Sequence, residues 1–79
     1  MVFSRMFTFT TVRSDYDETM QILNEYIKRD RLVIDKFKAG MQDNTHIAEF
    51  TVSCEPKDYL DILIELESRW LIIEARNGV

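Results

Sequence analysis

The stretch "HIAEFTVSC", His46 to Cys54, alternates without a fault: Ala48, Phe50, Val52 and Cys54 on one side, Ile47, Glu49, Thr51 and Ser53 on the other. A period of two belongs to a strand, because successive side chains of extended backbone point to opposite faces. One face is apolar and suits a core. The other is small, hydroxyl-bearing and β-branched, and its purpose is the functional question this chain poses.

Upstream, "FSRMFTFTTV" (Phe3 to Val12) sets Phe3, Phe7 and Phe9 against Ser4, Met6, Thr8 and Thr10. Its aromatic and β-branched content favours a strand. "RSDYDE" then supplies a helix start, with Ser14 or Asp15 as cap and Asp15 and Glu18 at capping-box spacing. Tyr16, Met20, Leu23 and Ile27 form one apolar stripe on a helix reaching about Lys28 or Arg29. "RLVIDKFKAG" reads as a second strand, with Val33, Asp35 and Phe37 on one face and Leu32, Ile34, Lys36 and Lys38 on the other. Charge on both faces suits a sheet edge. "AGMQDNT" is short and polar enough to turn this strand back into His46–Cys54 as a hairpin.

Downstream, "EPKDYLDILIELESRW" is the second helix. Pro56 fits the first helical position and Asp58 favours the helix N-terminus. Tyr59, Leu63, Leu66 and Trp70 make its core stripe, with Ile62 beside it. "WLIIEAR" closes the chain as a strand in which Leu71, Ile73 and Ala75 alternate against Ile72, Glu74 and Arg76. The order strand, helix, strand, strand, helix, strand predicts an α+β, ferredoxin-like βαββαβ sandwich: a four-stranded antiparallel sheet with both helices on one face. The first and third strands form the central pair and the second falls at an edge, as its charges require.

Seventy-nine residues make one domain, residues 1–79. A core this small seldom yields more than about 3–5 kcal/mol without a staple. Cys54 is the only cysteine, which excludes an internal disulfide and a cysteine-rich zinc site and leaves self-association as the expected staple. The net charge of −4 has mixed signs along the chain and offers no general attraction to phosphate or anionic lipid. No apolar run approaches the length of a membrane span, and the opening residues read as strand and not as a signal peptide. A lone thiol without an export signal implies a reducing, cytoplasmic setting.

A catalytic site needs a positioned nucleophile, an acid–base pair or a metal. Cys54 sits on the apolar face, where a buried small hydrophobe is the expected role, and the single His46 lies at the far end of its strand. Glu49 and Glu74 share the open face with Arg5, Lys36 and Arg76 and read as solvated charges. Neither Gly40 nor Gly78 opens a helix, so no phosphate-cradling loop exists. An RNA-binding sheet of this topology stacks bases on aromatics of its two central strands. Here Phe7, Phe9 and Phe50 all point inward, so nucleic acid is not the expected partner. The chain is read as a non-enzyme with no cofactor and no metal.

What remains is a contact surface. On the second helix Leu60 and Ile64 lie about 100° and about 140° from Tyr59, well off the core stripe, and are stacked four apart. An exposed apolar pair of this kind marks a subunit or partner contact. Ile22 on the first helix, and Met6, Ile47 and Ile72 on the open sheet face, extend the candidate interface.

In strand and helix order and in length, the whole chain is similar to the ACT-type regulatory domains. That resemblance implies side-by-side pairing and an amino acid or other small effector bound at the interface. Many such domains carry a glycine in the first strand–helix loop near the effector; "TTVRSDYDE" has none, so no site residue is carried over. The expected function is a small regulatory or protein-interaction module, an adaptor or inhibitor of a protein partner that also forms a homodimer. The alternative is a sensor of a small-molecule effector at a dimer interface.

Overall fold

The computed structural model describes residues 4–77, so Phe3 and Gly78 lie outside the described residues. The elements are β1 (Arg5–Val12), a 3-10 turn (Arg13–Asp15), α1 (Tyr16–Ile27), β2 (Leu32–Gln42), β3 (Thr45–Cys54), α2 (Pro56–Ser68) and β4 (Ile72–Asn77). The sheet order is β2-β3-β1-β4, antiparallel throughout. This is the ferredoxin-like arrangement expected from the sequence.

The central pair behaves as its alternation requires. Phe7, Phe9, Ala48, Phe50, Val52 and Cys54 are all buried on the helix side of the sheet. Tyr59 of α2 stacks on Phe7 with ring centroids 3.9 Å apart and lies 5.5 Å from Phe9, which sets α2 over the β1 side. Tyr16 of α1 meets Phe37 and Phe50, which sets α1 over β2 and β3. Ile62, Leu66 and Leu23 close the middle of the core.

The edge strands differ from their expected faces, and for one reason. In β2, Ile34 pairs with Val52 but Lys36 pairs with Thr51, so Asp35 is an extra residue. A bulge of this kind shifts side-chain phase by one position. It turns Phe37 to the helix side, opposite Phe50, and leaves Lys36 and Lys38 on the open face. In β4, Thr10 pairs with Glu74 and Thr11 with Ile72, making Ile73 the extra residue. Ile72 therefore faces the core, against which it packs, and not the open face; Ile73 is 48% exposed. Both bulges keep apolar side chains inside a sheet whose sequence departs from strict alternation.

The helices also depart in detail. No side chain caps α1; instead the 3-10 turn leads into it, the Tyr16 N–H donating to the Arg13 carbonyl. Its buried face is Thr19, Ile22 and Leu23, rotated from the expected stripe, and α1 packs on α2 as well as on the sheet. Ile22 is thus core and not an interface residue: the helix rests in the angle between sheet and α2. On α2 the buried residues are Asp58, Ile62 and Leu66. Trp70 lies past the end of the helix, 90% exposed, and belongs to no core stripe.

Both helices stop in the same way. Asp30 and Trp70 each adopt a left-handed conformation with φ 58. The next residue's N–H reaches back five positions, Arg31 to the Tyr26 carbonyl and Leu71 to the Leu66 carbonyl, each at 2.9 Å. Glycine is the usual occupant of that left-handed position. The β2–β3 connection has Asp43 and Asn44 at positive φ, the two-residue turn that suits the twist of a hairpin.

Candidate interaction surfaces

The open sheet face is a layered polar surface. Rows across the central pair read Met6–Ser53, Thr8–Thr51, Thr10–Glu49 and Val12–Ile47. Thr8 and Thr10 are buried although no helix covers them. Arg76 stands beside Thr8 and Glu49 beside Thr10, so their 3.1 Å ion pair runs diagonally over β1. Ser53 donates its hydroxyl to Asp35 at the bulge. Met6 is 44% exposed at one corner and Ile47 half-buried at the other. Glu74 makes no hydrogen bond or ion pair among the described residues. Glu49 is held by an arginine, and Glu74, on the other side of Thr10, stands in solvent.

The apolar surface lies elsewhere, along α2 and the strand it feeds. Leu60 and Ile64 are 55% and 65% exposed, as the helical wheel places them. Beyond the helix end, Trp70 and Ile73 border a cleft of about 310 Å³ that also touches Glu67 and Ala75. Trp70 occupies a left-handed backbone position that costs an L-residue with a side chain about 1–2 kcal/mol. Almost none of its ring is buried in return. An outlier of this kind is where function is to be sought. Sequence periodicity missed it because Trp70 falls in step with Tyr59, Leu63 and Leu66. The available signal was the absence of glycine between helix and strand, which forces some other residue into the left-handed position.

At one end of the sheet Asp58 is buried and paired to Arg31, with contacts of 3.0 Å to Nη2 and 3.1 Å to Nε. The pair ties the start of α2 to the turn after α1. This polar contact spans 27 residues and leaves no local trace in the sequence. Cys54 lies close by. Burial, with the charges of Asp58 and Glu55 adding to it, pushes its thiol up to about 11, the opposite of an activated nucleophile. Burial likewise raises the Tyr59 and Tyr26 phenols. At the other end, an open cleft of about 290 Å³ lies between Arg13 and the hairpin residues Met41, His46 and Ile47. No group of three His, Cys, Asp or Glu among the described residues is placed to hold a metal. No helix among them is long and apolar enough to cross a membrane.

No protein-family model and no curated protein matches the sequence. Solved structures do. The C-terminal domain of the MgtC protein from Mycobacterium tuberculosis superposes with a TM-score of 0.65 at 7% identity, over 95% of this chain and 86% of that one. The ACT domain from the GTP pyrophosphokinase of Chlorobium tepidum gives 0.56 at 9% identity, over 96% and 85%. The chain has an ACT-like fold. At such identities the ACT-like likeness is one of backbone, and the side chains described above are this chain's own.

Proposed function

We propose that this chain is a non-catalytic regulatory module that acts by contacting a protein surface through the flank formed by α2 and the start of β4. The observation that carries the reading is Trp70: a large aromatic in a conformation suited to glycine, 90% exposed, with Leu60, Ile64 and Ile73 also in solvent. Tryptophan and its apolar neighbours are the usual anchors of protein contacts. The ACT-like fold supports a regulatory role.

The test separates folding from contact. Trp70→Gly relieves the left-handed strain and removes no core area, so the folded state holds or gains stability while partner capture falls. Leu60→Asp with Ile64→Asp acts on the same flank. If both variants keep the wild-type solution mass and the same stoichiometric partner, the reading is wrong.

A second reading is a sensor of a small acidic effector, supported by the cleft between Arg13 and the hairpin, where a guanidinium stands beside His46. A thermal-shift panel of amino acids tests it. A ligand that raises the wild-type midpoint but not that of Arg13→Ala supports the sensor; a flat panel removes it.

A further inference from the structure

We propose that the cleft beside Trp70 takes an arginine side chain of the partner protein, its guanidinium laid on the indole and paired with Glu67 and Glu74. This deepens the contact-module reading by giving the chemistry of the partner, and it rests on that reading in taking the α2–β4 flank as the contact surface.

Two carboxylates stand in the wall of this cleft of about 310 Å³, Glu67 from the last turn of α2 and Glu74 from β4, and no basic residue lines it. Exposed carboxylates are common on an acidic chain; these two are set apart by sharing one wall with its only tryptophan. The nearest bases along the chain are engaged elsewhere. Arg69 turns to Glu18 at 3.4 Å and to Glu65 at 3.2 Å, and Arg76 to Glu49 at 3.1 Å. Arginines of this chain do lie on rings, Arg13 on Tyr16 at 5.2 Å and Arg29 on Tyr26 at 5.9 Å. Tryptophan is the strongest acceptor of such a cation. Yet among the described residues no cation stacks on Trp70, whose ring is 90% exposed.

The surroundings of the cleft say what carries the cation. Leu60, Ile64 and Glu67 follow one another at helical spacing, so an exposed apolar pair leads along α2 to the first carboxylate. A free organic cation would use the cleft and leave that pair bare. A cationic side chain on a protein surface covers both. Arginine suits the cleft better than lysine. Its planar guanidinium stacks flat on an aromatic face and still presents N–H groups at its rim to carboxylates, whereas an ammonium is a compact, strongly hydrated charge. The chain's net charge of −4 helps to draw in a basic surface.

The probe is an acetylated, amidated tetra-arginine peptide, titrated into the full chain at about 0.15 M salt, where distant surface charges are screened. Trp70 emission reports binding, and thermal unfolding checks the fold of each variant. Tetra-arginine is expected to give a saturable change. The citrulline peptide, neutral and of nearly the same shape, should give none, and tetra-lysine should bind more weakly. Glu67→Gln with Glu74→Gln removes two charge-assisted contacts and should weaken binding about tenfold or more. Glu25→Gln with Asp30→Asn removes the same net charge from exposed sites at the other end of the helix layer and should change it less than about twofold. Trp70→Gly, followed through the backbone amides of β4, should also weaken it. An absent or unsaturable response overturns the proposal. So does a citrulline or lysine peptide that binds as tightly, or an equal loss in the two double variants. Partner capture lost in Trp70→Gly but unchanged in Glu67→Gln with Glu74→Gln defeats this inference and leaves the contact reading standing. Arginine binding that needs both glutamates, in a protein whose partner capture is indifferent to Trp70→Gly, does the reverse.

Discussion

The central and edge strands of this sheet obey the same chemistry under different constraints. β3 alternates over its whole length because it is held on both sides, by β1 and by β2. A slip of one residue there would carry Phe50 and Val52 to the wrong face in two ladders at once. β2 and β4 have one ladder each, and each carries one extra residue, Asp35 and Ile73. The edge absorbs a phase error with a local kink; the centre has no room for one. Alternation is thus a strict rule in the middle of the sheet and a negotiable one at its borders.

Deleting residues is the sharpest way to break that contrast. Removal of Thr51 from β3 reverses the face of every residue on one side of the cut and should abolish cooperative unfolding by circular dichroism. Removal of Asp35 should leave a folded protein, since Ile34 and Phe37 then alternate without a bulge; a loss as severe as that from deleting Thr51 would overturn the comparison. Next in size come two phenylalanines on the same face. Phe50→Ala empties a fully buried site and should cost about 3–5 kcal/mol in chemical denaturation, whereas Phe37→Ala, at an exposed edge, should cost about half as much or less.

A smaller effect of opposite sign is expected at Thr11, whose buried hydroxyl finds no partner among the described residues. Thr11→Val keeps the shape and the strand preference and should raise stability by about 1 kcal/mol. An effect confined to alkaline solution concerns Cys54, at the end of a central strand. Its thiol rises from about 9 unfolded to about 11 folded, so the unfolded chain loses its proton first. Stability is then full below about pH 9, falls as pH rises toward about 11, and is level beyond. Cys54→Ala should flatten that part of the pH–stability profile. A native thiol that reacts with alkylating reagents at neutral pH as fast as a denatured one would contradict its burial.

The same division decides how much the residues alone disclose. Element order, the inward faces of β1 and β3, the edge position of β2 and the exposure of Leu60 and Ile64 follow from periodicity, because each rests on neighbours a few positions away. Ile72 and Phe37 were misplaced because nothing local says where a strand takes an extra residue. Ile22 was misplaced because the turn of α1 about its axis is set by α2, which is remote in sequence. The Arg31–Asp58 pair shares that remoteness. Trp70 was misread for a different reason: a periodic pattern does not mark where the helix stops, and the ring falls two residues beyond its end.

The solitary indole has an experimental consequence. With its ring in water when the domain is folded, excitation of Trp70 should give solvent-like, red-shifted emission in both native and denatured samples, so fluorescence is a poor gauge of folding here. The same placement makes it a built-in optical reporter of docking. A blue shift on titrating in a candidate partner, or on simple concentration, would register the moment when another surface closes over the ring.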